Sequence, residues 1–68
     1  MTMFPIGEDN NVDIAIQKIK VQFTKVSEIY LICFMDSHRR TMVEIFRTLQ
    51  NEQWVTIDYE SRKLIRKE

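Results

Sequence analysis

The sequence has almost none of the residue types from which covalent, metal and phosphate sites are usually built. Its 68 residues include one cysteine, Cys33, one histidine, His38, one glycine and one proline. One cysteine excludes an intramolecular disulfide, and Cys33 and His38 together are too few ligands for a zinc site. A single glycine excludes the glycine-rich loop that binds nucleotide phosphates. We therefore expect no metal and no cofactor.

Long apolar runs are also missing. The run at residues 29–35 has seven apolar residues, whereas a membrane-spanning helix needs about 20. The N-terminus, MTMFPIGEDNN, has neither the basic start nor the apolar block of a secretory signal. A lone thiol suits a reducing compartment. These features predict a cytoplasmic protein that does not contact a membrane.

Neither sign of charge dominates, and the chain is short. Ten basic and ten acidic residues give a net charge of zero, whereas proteins that bind nucleic acid mainly through electrostatics are usually basic. A chain of 68 residues forms one domain at most. It is marginally stable alone, because it buries only about 60% of its unfolded surface. We therefore expect a homodimer or another protein partner, and no small-molecule substrate is indicated.

Residues 1–10 are predicted to form a flexible N-terminal arm, and residues 11–68 a single α+β domain. The only proline and the only glycine both lie in this arm. Asn10 or Asn11 can cap the helix that follows, because a short side-chain oxygen accepts a hydrogen bond from an unpaired backbone N–H.

Apolar residues at helical spacing predict two helices. The first covers residues 12–26, with two short strands as the alternative. The second covers about 37–50, with Ser37 as N-cap and His38 on the surface. Its buried stripe would be Met42, Ile45, Phe46 and Leu49.

Residues 27–36 lie between these helices and fit either a buried strand or a buried helix. Their length and their Ile, Tyr and Phe content favour a strand. The segment ends in Asp36-Ser37-His38, the residue types of a hydrolytic triad. Neighbouring residues cannot point at one another as a triad requires, so we do not expect an enzyme.

The C-terminal part predicts a hairpin. Residues 54–59 alternate between apolar and polar side chains, and residues 63–66 can return as a second short strand. The connection at residues 60–62 contains no glycine or asparagine. A two-residue type I′ or II′ turn is therefore not expected, and a longer loop is needed.

The segment from Arg39 to Ile65 resembles the second half of a winged helix-turn-helix domain of the catabolite-activator type. The matching residues are Arg39-Arg40-Thr41-Met42, then Ile45-Phe46 with Leu49 three residues later, then Trp54-Val55-Thr56-Ile57 at the start of the wing. The resemblance implies a winged-helix-like fold, a recognition helix at about residues 38–50, and contacts to base or phosphate from Arg39 and Thr41.

We accordingly expect a small DNA-binding protein that regulates transcription, probing duplex DNA as a dimer with helix 38–50 and hairpin 54–67. A helix of this kind directs polar side chains at base edges and phosphates. The expected contacts are Arg39, Arg40, Thr41 and Arg47 on the helix and Arg62 and Lys63 on the hairpin.

The alternative is a non-enzymatic protein–protein interaction module, such as an inhibitor, an adaptor or a small subunit. A strand at residues 29–35 would give the order α-β-α-β-β, with a three-stranded antiparallel or mixed sheet packed against two helices. A strand that is apolar on both faces must pack against other residues on both sides of the sheet. Partner contacts are then expected from Phe4, Tyr30 and Trp54, because aromatic residues are enriched in interfaces.

Overall fold

The computed structural model describes residues 2–7 and 11–68, which fold into an α+β domain with two helices and a four-stranded mixed sheet. The α+β class is therefore confirmed. The elements are β1 (Met3–Ile6), α1 (Val12–Gln22), β2 (Glu28–Cys33), α2 (Arg39–Asn51), β3 (Val55–Asp58) and β4 (Lys63–Arg66), with a 3-10 turn at Asp36–His38. From α1 onward this is the α-β-α-β-β order of the alternative prediction, and β1 adds a fourth strand.

The strands lie in the order β1-β2-β4-β3, so that β2 and β4 are central. β1 runs parallel to β2, whereas β4 is antiparallel to both of its neighbours. The β1-α1-β2 unit is a crossover through a helix, as parallel strands require. One row across the sheet contains Met3, Tyr30, Lys63 and Asp58, since each is the register partner of the next.

Both helices pack on the same face of the sheet. One buried apolar cluster combines residues of both helices with alternate residues of the strands: Phe4, Ile6, Ile16, Ile19, Phe23, Ile29, Leu31, Met42, Ile45, Phe46, Leu49, Val55 and Leu64. Because side chains alternate between the two faces of a sheet, the row through Tyr30 and Lys63 lies on the opposite face. Neither α1 nor α2 covers this face, which we call the open sheet face.

Residues 3–6 form a strand, so the prediction of a flexible arm over residues 1–10 is wrong for this part. Phe4 is 7% exposed and Ile6 2% exposed, because both side chains enter the core beneath the helices. Pro5 has no N–H to donate, and an edge strand tolerates a proline whose nitrogen faces away from the neighbouring strand. Met1 and residues 8–10 lie outside the described residues.

α1 begins with the predicted cap. The side-chain oxygen of Asn11 accepts a hydrogen bond from the backbone N–H of Ile14 at 3.2 Å, which satisfies one of the unpaired donors at the helix start. The other candidate cap, Asn10, is not among the described residues. The helix ends at Gln22, and Val26 lies in the following loop.

α2 begins without a side-chain cap, so the prediction of Ser37 as N-cap is wrong. Ser37 lies in the 3-10 turn, and His38 occupies the N-cap position without a capping hydrogen bond. His38 is half-buried, because its ring packs against Gly7. Gly7 has a φ of 120°, and a Cβ there would overlap the ring. This contact joins the end of β1 to the start of α2.

α2 ends in a Schellman motif. The backbone N–H of Gln53 donates to the carbonyl of Gln50, and that of Trp54 donates to the carbonyl of Leu49, each at 3.0 Å. Gln53 has a φ of 62°, a left-handed conformation that glycine usually occupies. The motif turns the chain directly into β3.

The segment before α2 is a strand in the centre of the sheet. β2 covers Glu28–Cys33 and pairs with β1 on one side and β4 on the other. A helix-turn-helix domain has a helix at this place. The described residues therefore lack the first helix of the pair that the winged-helix resemblance implies, and what they share with it is a helix followed by a hairpin.

Candidate functional site

The hairpin loop at residues 59–62 is held by the side chain of Asp58. Its Oδ1 accepts hydrogen bonds from the backbone N–H groups of Glu60 at 3.2 Å and Ser61 at 3.4 Å. The side-chain and backbone hydrogen bonds from Ser61 lower the pKa of Asp58 below its ordinary value of 3.8. Arg62 completes the loop with a φ of 57°, which few residues other than glycine adopt. The sequence folds here into a longer loop, as predicted.

A cleft of about 290 Å³ separates this loop from α2. Its lining residues are Met42, Val43, Phe46, Arg47, Gln50, Tyr59 and Arg62. Met42 and Phe46 are buried and form an apolar floor. The volume lies at the lower limit of the roughly 300–1,000 Å³ of small-molecule pockets, so the cleft suits one or two side chains of a ligand rather than a large cofactor.

Tyr59 forms the hairpin wall of the cleft and contacts α2 at two residues. Its ring meets that of Phe46 edge to face, with centroids 5.8 Å apart and an interplanar angle of 81°, a favoured aromatic geometry. Its hydroxyl donates to the side-chain Oε1 of Gln50 at 3.1 Å. Tyr59 is still 63% exposed, so much of its surface is available to a ligand.

Two guanidinium groups line the cleft from opposite walls, Arg47 on α2 and Arg62 on the hairpin loop. Neither group forms an ion pair or a side-chain hydrogen bond with any described residue. An unpaired arginine presents up to five N–H donors in a planar fork that matches carboxylate and phosphate oxygens. The cleft therefore combines an apolar floor with two free cationic groups.

The other two predicted arginines lie on the exposed side of α2, outside the cleft. Arg39 approaches Asp36 at 3.5 Å, and Arg40 approaches Glu44 at 3.9 Å. All four groups are well exposed, and such pairs contribute little to stability. Thr41 is not part of the cleft lining. Successive residues of an α-helix are rotated by about 100°, so Thr41 lies on the side of α2 opposite Val43.

Lys63, the second predicted hairpin contact, points to the open sheet face and away from the cleft. Its ammonium group lies 3.4 Å from the carboxylate of Glu28 and 5.5 Å from the ring centroid of Tyr30. Burial lowers the pKa of Lys63, but Glu28 and Tyr30 together raise it above the ordinary value of 10.5. Of the six predicted DNA contacts, only Arg47 and Arg62 meet in one site.

The three residues predicted to bind a protein partner lie in three different places. Phe4 is in the core, so its expected role as a surface contact is wrong. Tyr30 is half-buried on the open sheet face, beside Lys63. Trp54 is 37% exposed, with the ammonium group of Lys20 4.8 Å from its ring centroid. These residues do not form a single patch.

Sequence analysis did not identify Val43, Gln50 or Tyr59 as site residues. Val43 and Gln50 lie on the same side of α2 as Arg47, at spacings of four and three residues. That spacing is the signal that could have indicated them. Tyr59 had no such signal, because its position depends on how the hairpin folds back on α2.

Within residues 2–7 and 11–68, no group of three metal-ligating side chains is close enough to hold an ion. Over the same ranges no helix is both long and apolar enough to span a membrane. Comparison with protein-family models, curated proteins and solved structures finds no match to this chain.

Proposed function

We propose that this protein is a non-enzymatic module that binds a segment of a partner protein in the cleft between α2 and the hairpin. One observation carries the proposal: Arg47 and Arg62, which form no ion pair with any described residue, line the same cleft as the buried Met42 and Phe46. Arginine, tyrosine, methionine and phenylalanine are the residue types enriched in protein interfaces, and all four line this cleft.

Duplex DNA is the second candidate, because Arg47 and Arg62 come from the same helix and hairpin that the winged-helix resemblance assigns to DNA. Two free arginines would make few phosphate contacts, whereas tight DNA binding usually needs many. Arg39 and Arg40 have acidic neighbours, and Lys63 lies on another face. The cleft therefore favours a protein segment over a duplex.

The proposal is tested by selecting a phage-displayed random peptide library on the immobilised protein. Selected peptides are then measured by fluorescence anisotropy against wild type, Val43→Trp and Ile14→Trp. Val43 is 46% exposed and lines the cleft, whereas Ile14 is 44% exposed on α1. A tryptophan at residue 43 should fill the cleft without disturbing the core, and Ile14→Trp is the matched control.

We expect peptides that bind wild type and Ile14→Trp equally and lose at least about tenfold in affinity for Val43→Trp. Peptides that bind all three proteins alike would overturn the proposal. So would the absence of any selected peptide. A labelled DNA duplex is titrated at low and high salt in parallel. Salt-sensitive binding that depends on Arg47 and Arg62, without peptide binding, would establish the DNA alternative instead.

A further inference from the structure

We propose that the cleft recognises an apolar side chain flanked on both sides by acidic residues of the same peptide segment. This inference rests on the proposed function, because it names the chemistry of the segment that the cleft would bind. It follows from the charge and the layout of the two walls and the floor of the cleft.

The floor selects the apolar side chain. Met42 and Phe46 are 7% and 4% exposed, and the exposed Val43 and Tyr59 stand above them on the two walls. An apolar side chain that enters between these walls exchanges water for methionine, valine and aromatic surface, which favours binding. The small volume of the cleft limits this contact to one or two side chains.

The walls select the acidic neighbours. Arg47 lies on α2 and Arg62 on the hairpin loop, so a segment whose apolar side chain enters the cleft would lie between two arginines that form no ion pair with any described residue. Carboxylates bind guanidinium groups through paired, charge-assisted hydrogen bonds. Two separated cations match two separate carboxylates, one before and one after the apolar residue.

The lining of the cleft strengthens this charge preference. None of its seven residues is acidic, and the one acidic residue of α2, Glu44, approaches Arg40. The amide of Gln50 also retains its N–H donors, because Gln50 uses its oxygen to accept from Tyr59. Among the lining side chains, the donors that can meet a carboxylate are therefore those of Arg47, Arg62 and Gln50. The carboxylate of Asp58 lies outside this lining and accepts hydrogen bonds from the loop backbone.

The inference is tested with three capped, fluorescein-labelled peptides. SDDLFDDS carries the motif with two adjacent apolar residues, either of which can enter the cleft. SNNLFNNS replaces each acid with its uncharged amide, and SDDSSDDS replaces both apolar residues with serine. Each is titrated by anisotropy against wild type, Arg47→Gln, Arg62→Gln and Arg40→Gln. Arg40 is the matched control, since it lies on the same helix as Arg47 but outside the cleft.

We expect SDDLFDDS to bind wild type at least about tenfold more tightly than either other peptide. SNNLFNNS loses the charge-assisted hydrogen bonds to arginine, and SDDSSDDS loses the burial of apolar surface. Arg47→Gln and Arg62→Gln should each weaken this binding about tenfold. Arg40→Gln should change it by less than about twofold. Circular dichroism should show the same fold in all variants.

Failure of this inference is distinguishable from failure of the proposed function. If SNNLFNNS binds as tightly as SDDLFDDS and Val43→Trp blocks both, the cleft binds peptides but does not select acids. The inference is then overturned while the proposed function stands. If neither these peptides nor the selected library binds in a cleft-dependent way, both are overturned. Equal losses in Arg40→Gln and Arg47→Gln would also contradict the inference, because they would indicate attraction by general charge.

Discussion

At the scale of single residues, Arg62 combines a functional side chain with an unfavourable backbone conformation. Its φ of 57° is left-handed, which costs an L-residue about 1–2 kcal/mol, whereas glycine avoids that cost but loses about 0.5–1 kcal/mol of entropy. We predict that Arg62→Gly has an unfolding free energy equal to wild type or higher by up to about 1 kcal/mol, measured by urea denaturation. It should still lose about tenfold in affinity for SDDLFDDS. An unfolding free energy of Arg62→Gly below that of wild type would contradict the left-handed backbone conformation of residue 62.

The carboxylate of Asp58 should make the hairpin loop sensitive to acid. Hydrogen bonds from Ser61 and Glu60 lower its pKa in the folded protein below 3.8. Folding therefore favours the ionised carboxylate. The stability that this carboxylate adds is fully present above its pKa in the unfolded chain and is lost as the pH falls through its pKa in the folded protein. Asp58→Asn keeps an acceptor oxygen but does not titrate. We predict that wild type is more stable than Asp58→Asn at neutral pH and that this advantage shrinks below about pH 3.8, as measured by thermal unfolding. If the difference in stability between wild type and Asp58→Asn did not change with pH, the ionised carboxylate would not be what stabilises the loop.

At the scale of elements, the end of α2 uses a residue that is poorly suited to its conformation. Gln53 occupies the left-handed position of the Schellman motif. We predict that Gln53→Gly raises the unfolding free energy by about 0.5–1 kcal/mol, because glycine adopts this φ without steric cost. Asn51→Gly, inside the last turn of α2, should lower it by a similar amount. Equal effects of the two substitutions in urea denaturation would show that the motif does not form.

The first strand gives a second prediction at this scale. Phe4 is in the core, whereas Met3 beside it is 52% exposed. Phe4→Ala should lower the unfolding free energy by about 3–5 kcal/mol, which is much of the stability of a small domain. Met3→Ala should change it by less than about 0.5 kcal/mol. If residues 1–10 were a flexible arm, both substitutions would have small effects.

The elements that sequence analysis predicted correctly are those whose pattern is local. The stripe from Met42 to Leu49 and the alternation at residues 54–59 each report on a few neighbouring residues. β1 was missed because it is short, contains a proline and acquires its strand character from pairing with β2, which lies far away in the chain. Arg47 and Arg62 were named, but the cleft between them depends on the tertiary contact of Tyr59 with Phe46.

At the scale of the whole molecule, the two layers have different surfaces. The helix layer carries the cleft, whereas the open sheet face on the other side presents Tyr30 and a Lys63 that is paired with Glu28. The chain has no net charge, so long-range attraction of a strongly charged partner is weak. Recognition then depends on the local arrangement of the two free guanidinium groups.

The most direct test of this account is an NMR titration of the wild-type protein with SDDLFDDS. The account predicts saturable shifts of the arginine Nε–Hε resonances of Arg47 and Arg62 and of the backbone amides of Val43 and Tyr59. The amide of Tyr30 on the open sheet face should not move. Shifts confined to the open sheet face, or the same cleft shifts with SNNLFNNS, would contradict an acid-selective cleft between α2 and the hairpin.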